Sequence, residues 1–467
     1  MTVATQSEIE GADAPPGAPV GRLAAGIEGA LIVVGLVLLA VGQHHQITSD
    51  GRARFEALTE LLDTGRLSDN QYSLIGPLVA TPLWILGRLA GHVEAWLSYY
   101  NLAVFAIGLA TMWLLLRDRM DRTLLRRFLL LVVAGSMVAP HVTDFYGEAF
   151  TAFGVGVGIL AALVRTAGPG TRVAGWAAAT IGAANTPASL FGLGLVGAAQ
   201  AFQHKRWRYA LPVAAGAVLV FGEAWLRRGN PFDNGYAGTV QIAKTVMPYS
   251  GREGFSYPFV LGVFAIVFSF GKGILWYLPG LVLPIRRKLR ELHDPSGVDL
   301  WRVWTLWTVF LAGLVVAYAS WWSWYGGMYW GPRFFLVGIL PACLSLAVCQ
   351  RYARGSLLGD LATLGVLLLS VWIGADSLVF GGLWAYACYE NYFALEALCH
   401  FTPEFSALWY PFVARPTLTG GQLLTLLYYL AVFCWLAAPV IVRIVDRIAD
   451  WLALRSSAYL DPSRWRW

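Results

Sequence analysis

Charged side chains are scarce in this sequence. Asp, Glu, Lys and Arg make up 13% of its 467 residues, whereas hydrophobic residues make up 57%. Soluble domains carry roughly 25% charged residues, so the composition excludes a large soluble domain and indicates an integral membrane protein. Lysine is rarest: of the 34 basic residues only Lys205, Lys244, Lys272 and Lys288 are lysines. The net charge of +6 does not indicate nucleic-acid binding, because basic residues of membrane proteins collect in cytoplasmic loops.

The sequence motifs of common soluble enzymes are also missing. There is no phosphate-binding glycine loop before a Lys-Ser or Lys-Thr pair, no nucleophile elbow and no zinc-ligand spacing. Inverted repeats of the kind found in transporters are not evident. Of the five cysteines, Cys388 and Cys399 lie in one predicted outer loop. The sequence does not decide whether they form a disulfide or stay as free thiols.

Long apolar runs predict an all-α bundle of about 12 transmembrane helices with both chain ends inside. The first run, Leu23 to Gly42, is too long for a signal peptide and has no small-residue cleavage site. The other spans with explicit predicted bounds cover residues 94–116, 128–141, 209–226, 302–320, 356–375 and 420–442, and spans 4, 5, 6, 8 and 10 lie between them. Residues 73–91 and 257–270 are apolar but Gly- and Pro-interrupted or short, so they are predicted as interfacial helices on the outer face.

These assignments predict one membrane domain, residues 23–442, and no large soluble domain. A disordered cytoplasmic tail (1–22) precedes it and a basic cytoplasmic tail (443–467) follows it. The larger outer segments are the first loop, 44–93, and the loops 227–256 and 377–418.

The first outer loop carries an acid, Asp50, followed by Arg52 and Arg54. Asp50 lies just beyond the first span, where a rigid helix end could position it for chemistry on a charged lipid head group. The alternative is a solvated acid that caps the helix beginning near Gly51. Asp144 and Glu148 repeat the pattern at the next outer turn, and they too could be a helix cap and a helix-dipole acid.

Two basic residues and an aromatic stretch follow on the predicted outer side. Lys272 lies between two glycines, and Arg333 follows Pro332, contexts that suit a phosphate ligand. The alternative for both is snorkelling at the membrane interface. The aromatic residues from Trp321 to Trp330 are typical of an interfacial belt, and their density also suits stacking on a sugar.

The order of these motifs resembles that of GT-C glycosyltransferases, in particular the bacterial relatives of the protein O-mannosyltransferases and of the lipid A aminoarabinose transferase. In the first loop the matching residues are Asp50, Arg54-Phe55, Gly65, Tyr72, Pro77-Leu78 and Trp84. The later matching stretches are F-S-Y-P-F (Phe255–Phe259), G-K-G-I-L-W-Y-L-P (Gly271–Pro279) and W-Y-G-G-M-Y-W-G-P-R-F (Trp324–Phe334), followed by Leu340-Pro341. The resemblance covers most of the chain.

The resemblance implies an inverting glycosyltransferase that moves a sugar from a polyprenyl-phosphate donor to a lipid, glycan or protein acceptor. It would act on the outer face of a bacterial plasma membrane. Asp50 would be the general base, and Glu148 or Asp144 the second acid. Lys272, Arg333, Arg54 and Arg52 would bind or position the donor phosphate, and Tyr72, Tyr325 and Trp330 would contact substrate. No cofactor is required, although paired acids could hold a divalent metal.

One departure from the family pattern affects the phosphate site. The aminoarabinose transferases carry a lysine shortly after the tyrosine. This chain has no lysine there and reads Tyr72-Ser73-Leu74-Ile75-Gly76-Pro77.

Two other functions stay open: a transporter or flippase of a lipid-linked saccharide, and a polysaccharide polymerase or ligase of another fold. A transporter would concentrate its charges near the membrane midplane, whereas the charges singled out above lie at one predicted surface.

Overall fold

The computed structural model describes residues 19–236, 254–292, 297–327, 329–352, 356–382, 388 and 394–459, and across these ranges it contains helices and no strands. The first half contains α1 (Pro19–Val41), α2 (Ser49–Thr64), α3 (Ile75–Val79), α4 (Thr81–Ala90), α5 (Val93–Ser98), α6 (Tyr100–Leu116), α7 (Arg122–Ala134), α8 (Glu148–Leu163), α9 (Pro169–Ala184), α10 (Ser189–His204) and α11 (Leu211–Arg228). The second half contains α12 (Phe259–Phe268), α13 (Ile274–Tyr277), α14 (Arg286–Glu291), α15 (Leu300–Ala319), α16 (Ile339–Arg351), α17 (Leu357–Val379), α18 (Glu396–Phe401), α19 (Tyr410–Ala414) and α20 (Gly420–Tyr459). Most of the predicted tail 1–22, the end of the tail 443–467 and parts of the loops 227–256 and 377–418 lie outside the described residues.

Seven helical segments of the described chain are long and apolar enough to cross a membrane. They are Gly21–Val41, Val93–Leu116, Trp207–Arg228, Leu300–Ala319, Arg333–Arg351, Leu357–Val379 and Gly420–Ala453. Each coincides with a predicted span: the first, second, seventh and the last four. The all-α membrane fold is therefore confirmed at this coarser level.

The other five predicted spans are not helices of spanning length. α7 has 13 residues, and α8, α9 and α10 have 16 each. At 1.5 Å per residue, a 16-residue helix is about 24 Å long, less than the roughly 30 Å of a bilayer core. The predicted eighth span is interrupted at Leu278, where α13 gives way to a 3-10 turn, Pro279–Val282. Proline cannot continue the helical hydrogen bonding there.

The segments predicted to be interfacial form short helices. Residues 73–91 fold into α3 and α4, of 5 and 10 residues, and α12 has 10. At the other end of the chain, α20 has 40 residues and continues to Tyr459, past the predicted end of span 12 at residue 442. The first part of the predicted basic tail is thus a continuation of the last long helix.

The helix bundle has two ends, and side-chain contacts show which residues lie at each. At one end lie Val41, the start of α8 at Glu148 and the end of α9 at Asn185, whose amide accepts from Gly76 N at 3.0 Å. We call this the Asp50 end. At the opposite end, buried Glu28 of α1 pairs with Arg126 of α7 at 2.5 Å.

A large apolar core joins α6, α7, α8, α15 and α16, and a smaller one lies beneath α2. The smaller core contains Ile47, Leu58, Leu97, Tyr100 and Phe145. It fixes α2 against the helices at the Asp50 end. A disulfide joins Cys388 to Cys399 in the last loop before α20, which resolves the pairing that the sequence left open.

Candidate functional site

Helix α2 places Asp50 in its first turn. Thr48 precedes the helix in an extended conformation, and Gly65 ends it with a φ of 74°. Ala57 and Leu58 face the protein, whereas Glu56 and Asp63 do not, so the helix lies on the Asp50 end with one apolar face. Asp50 is therefore held by a helix that is itself anchored by packing.

Asp50 has two close side-chain partners. Its Oδ1 accepts from the Tyr72 hydroxyl at 2.7 Å, and its Oδ2 accepts from Arg333 Nη2 at 2.8 Å. Burial alone would raise the pKa of Asp50, but Arg333, the Tyr72 hydrogen bond and Arg54 outweigh it, so the pKa lies below its ordinary value. Asp50 is an anion at neutral pH, and 20% of its side chain stays exposed.

Arg333 connects the two acids of the site. Its Nε lies 3.5 Å from Glu148 Oε1, the first residue of α8. The guanidinium also lies over the Tyr146 ring, with Cζ 5.1 Å from the ring centroid. The aromatic ring and the two carboxylates hold the guanidinium between Asp50 and Glu148.

Arg54 lies one helical turn after Asp50 and is buried. Its Nη1 donates to the Ser73 carbonyl at 3.1 Å, and its Cζ lies 5.0 Å from the Tyr72 ring centroid. Within the described part of the chain, the buried Nε atoms of Arg54 and Arg333 and the Oε2 of Glu148 have no hydrogen-bond partner. Arg333 Nε faces Glu148 Oε1 at 3.5 Å without a hydrogen bond, so Arg54 Nε is the donor of the site with no described acceptor, and an anion would complete it.

Asp144 fixes the start of α2. It accepts from Thr48 N at 3.2 Å, from the Thr48 hydroxyl, and from Phe145 N at 2.6 Å. A Cβ at Gly51 would lie 2.4 Å from Asp144 Oδ1, so a larger residue at position 51 would displace the Asp144 carboxylate. Burial raises the pKa of Asp144 to about 6, with its hydrogen bonds opposing the shift. These contacts suit a residue that positions Asp50.

Lys272 lies beneath the loop that leads to Arg333. Its side chain is 2% exposed, and Nζ donates to Gly327 O and Gly331 O, each at 3.1 Å, and to Tyr329 O. These three backbone acceptors match the three protons of the ammonium group. The phosphate-binding role predicted for Lys272 stays a prediction, and its contacts favour a role in holding the loop.

Three other predicted site residues lie away from Asp50. Arg52 pairs with Glu94 at the surface, with Nη1 3.0 Å from Oε2. Tyr325 packs against His400 at a centroid distance of 4.6 Å. Trp330 is buried and donates to Asp376 at 3.2 Å. The structure thus groups Asp50, Arg54, Tyr72, Glu148 and Arg333, with Asp144 behind them.

Two positioning residues escaped the sequence prediction. Arg227 of α11 donates to Ser68 O and Tyr72 O, each at 2.6 Å, and Glu223 accepts from Leu74 N at 2.6 Å and from Ser73 Oγ at 2.7 Å. Together they fix the segment that carries Tyr72. The sequence did contain a signal for them: Glu223 and Arg227 are charged residues four positions apart at the end of an apolar span. Charged residues in such a span are energetically costly and are usually functional.

The acids of the site are arranged around a guanidinium. Across the described ranges, no three His, Cys, Asp or Glu side chains are grouped as metal ligands. Arg333 occupies the cation position between Asp50 and Glu148. The donor set therefore fits a guanidinium and an incoming anion better than a divalent ion.

The fold and its long apolar helices define a class, the all-α multi-pass membrane proteins. No protein-family model matches this chain, and no curated protein or solved structure is significantly similar to it. Any more specific function therefore has to be argued from the site itself.

Proposed function

We propose that this protein is an inverting glycosyltransferase that uses a polyprenyl-phosphate sugar as donor. The observation that carries the proposal is the Asp50 group: one partly exposed carboxylate held by Tyr72 and Arg333, beside the buried Arg54 guanidinium, whose Nε has no hydrogen-bond partner among the described residues. A base and a preformed anion site are the two elements that this reaction requires.

The reaction would proceed in one displacement. An acceptor hydroxyl attacks the anomeric carbon from the face opposite the phosphate, and its proton passes to Asp50. The bond from the anomeric carbon to the phosphate oxygen breaks as the new glycosidic bond forms. Polyprenyl phosphate leaves as an anion, and the guanidinium groups of Arg333 and Arg54 stabilise its charge.

The ion pair between Asp50 and Arg333 bears on the strength of the base. While Arg333 donates to Asp50, the carboxylate is a weak base, because its pKa lies below the ordinary value. A donor phosphate would compete with Asp50 for the guanidinium. Loss of that partner raises the basicity of Asp50 at the moment when the substrate is present.

The position of the group also supports an enzyme over a transporter. Asp50 lies on the short amphipathic helix α2, and Glu148 and Arg333 begin helical segments, so these charges lie at helix ends rather than at their middles. A membrane transporter places its charged substrate site near the bilayer midplane. A bacterial plasma membrane with this end outside is part of the proposal.

The proposal is tested by binding and then by transfer. Native mass spectrometry would titrate the purified protein with a long-chain polyprenyl phosphate, and with the matching polyprenol to show the contribution of the phosphate. Arg333→Gln and Arg54→Gln should each weaken phosphate binding about tenfold or more. Arg88→Gln, at an exposed pair with Asp63 of α2, is the matched control and should bind as the wild type.

Transfer from a polyprenyl-phosphate sugar should then be lost in Asp50→Asn, while donor binding persists. Turnover in Asp50→Asn at the wild-type rate would remove the general base from the proposal. Donor binding without transfer to any acceptor, together with movement of the lipid-linked sugar across vesicles, would favour the flippase instead.

A further inference from the structure

A second site lies at the end of the helices opposite Asp50. A cavity of about 800 Å³ opens there between α9, α10 and α11, near the first residues of α15. Arg165, Arg172, Arg208 and Arg302 line it. Asp299 is the one acid among its lining residues, and it caps α15 by accepting from Arg302 N at 2.9 Å. The cavity therefore carries an excess of positive charge.

The deeper wall of this cavity is apolar. Val173, Trp176, Ile181 and Leu219 line it along α9 and α11. Val173 and Leu211, which also line the cavity, are more than half exposed. In a membrane protein such a wall faces lipid chains, and basic pockets between helices are the sites that recognise anionic head groups.

Two polar side chains that line the cavity have buried N–H groups without a hydrogen-bond partner among the described residues. Gln200 is fully buried, and its Oε1 accepts from the Arg302 guanidinium, but its Nε2 has no partner in the part of the chain that the structure describes. The same is true of Arg302 Nε. Both residues line the cavity. A ligand oxygen placed there would satisfy two buried donors that otherwise lose hydrogen-bond energy.

The pKa of His204, which lines the cavity, responds to the positive charge of the arginines. The pKa of His204 is lowered by burial first and then by Arg302, Arg206 and Arg208. His204 is therefore neutral at physiological pH and adds no charge of its own. The attraction for an anion comes from the arginines.

We propose that this cavity binds one anionic glycerophospholipid from the leaflet opposite Asp50, with its phosphate among the arginines and an acyl chain along the apolar wall. The volume suits a head group and part of one chain, since sites for drug-sized ligands have cavities of about 300–1,000 Å³. This site is separate from the proposed transferase reaction and does not depend on it.

The test uses the full-length protein and native mass spectrometry with phosphatidylglycerol and phosphatidylcholine of identical chains. Phosphatidylglycerol should bind at least about tenfold more tightly, because it offers an uncompensated anion to several arginines. The double variant Arg172→Gln/Arg208→Gln should lose about tenfold of that affinity, and both arginines are exposed, so the fold should tolerate the change. Arg117→Gln/Arg122→Gln, at the same end but outside the cavity, is the control for general surface attraction.

A second pair of variants tests the apolar wall. Ala177 and Ala174 are both exposed on α9, one turn apart, but only Ala177 lines the cavity. Ala177→Trp should fill the wall and weaken binding, whereas Ala174→Trp should not. Equal binding of the two lipids, equal losses in both arginine pairs, or an unaffected Ala177→Trp would each overturn the proposal. Because Asp50→Asn should bind phosphatidylglycerol as the wild type does, failure here and failure of the transferase proposal are distinguishable.

Discussion

At the scale of single residues, Lys272 and Arg333 show how a charge can serve either a loop or a ligand. Both were predicted to bind phosphate. Lys272 donates to three backbone carbonyl groups of the loop before Arg333, whereas Arg333 contacts the side chains of Asp50 and Glu148. Sequence context alone, two glycines in one case and a proline in the other, does not separate these roles.

We expect Lys272→Met to lower the stability of the protein by about 2–4 kcal/mol, because it leaves three carbonyl groups without their donor. Thermal unfolding in detergent measures this, and Lys205→Met, at an exposed lysine that follows α10, controls for the loss of one lysine. Unchanged thermal stability with much weaker binding of polyprenyl phosphate would show instead that Lys272 is a phosphate ligand.

Asp144 gives a prediction for pH. Its pKa in the fold is about 6, above its ordinary value of 3.8, so the folded state holds more protons than the unfolded state between these values. The contribution of Asp144 to the free energy of unfolding is therefore largest at low pH. It falls by about 3 kcal/mol in total as pH rises through about 6.

Thermal unfolding of the wild type and of Asp144→Asn at pH 5 and pH 7 isolates this effect. The wild type should gain stability relative to the variant at pH 5. Asp63→Asn, on the exposed face of α2, should follow the wild type at both pH values. A gap between wild type and Asp144→Asn that is independent of pH would contradict the assignment.

At the scale of helices, the pair formed by α8 and α9 depends on close backbone contact. A Cβ at Gly175 would lie 2.5 Å from Ala162 N and 2.7 Å from Gly158 O, both backbone atoms that cannot move aside. Small residues at such positions are typical of helix pairs in membranes. A Cβ at Gly170, near the start of α9, would meet nothing within 4 Å.

Gly175→Ala should therefore destabilise the protein by about 1–3 kcal/mol, the usual effect of overpacking. Gly170→Ala should leave stability nearly unchanged. Both are measured by thermal unfolding in the same detergent. Equal effects of the two substitutions would show that α8 and α9 can separate without loss.

The sequence predicted the long helices better than the short ones. Apolar runs of about 20 residues predict a spanning helix by length alone, and all seven long segments were found in this way. Apolar stretches near Asn185 and Leu278 are interrupted by Pro187 and Pro279. The turn predicted near Asn185 is present, but the helices on either side have 16 residues each, and α13 ends at Tyr277, so the count of about 12 spans is not confirmed.

The candidate site could be predicted only in part for a related reason. Asp50 and Arg54 are adjacent on one helix, but the contact from Asp50 to Arg333 joins positions 283 residues apart. The order of motifs suggested that these residues belong together, whereas the supports Glu223 and Arg227 lie on a helix whose orientation no local pattern reveals.

At the scale of the whole molecule, helix directions make a prediction about topology. α1 runs from the Glu28 end to the Asp50 end, and α20 runs back: Gln422 near its start contacts Val379 O at 2.9 Å, and Arg443 further along contacts Gln350 O at 2.9 Å. The start of α1 and the end of α20 therefore lie at the same end of the bundle.

Tags at the two chain ends should react with a membrane-impermeant reagent from the same side of sealed vesicles. A cysteine introduced at Thr64, at the exposed tip of α2, should react only from the other side. Labelling of all three positions from one side would contradict the arrangement. Cys434 is exposed and is first replaced by Ser to give a clean background.

The ion pair between Asp50 and Arg333 has a kinetic consequence for the proposed reaction. Before the donor binds, Arg333 keeps the pKa of Asp50 low, so the carboxylate is a weak base. An acceptor or a water molecule that binds before the donor is therefore not deprotonated. Productive turnover then requires a compulsory order, donor before acceptor, with release of polyprenyl phosphate returning Arg333 to Asp50. Initial-velocity patterns would be those of an ordered sequential mechanism, and the resting enzyme would be protected from wasteful side reactions by its own salt bridge.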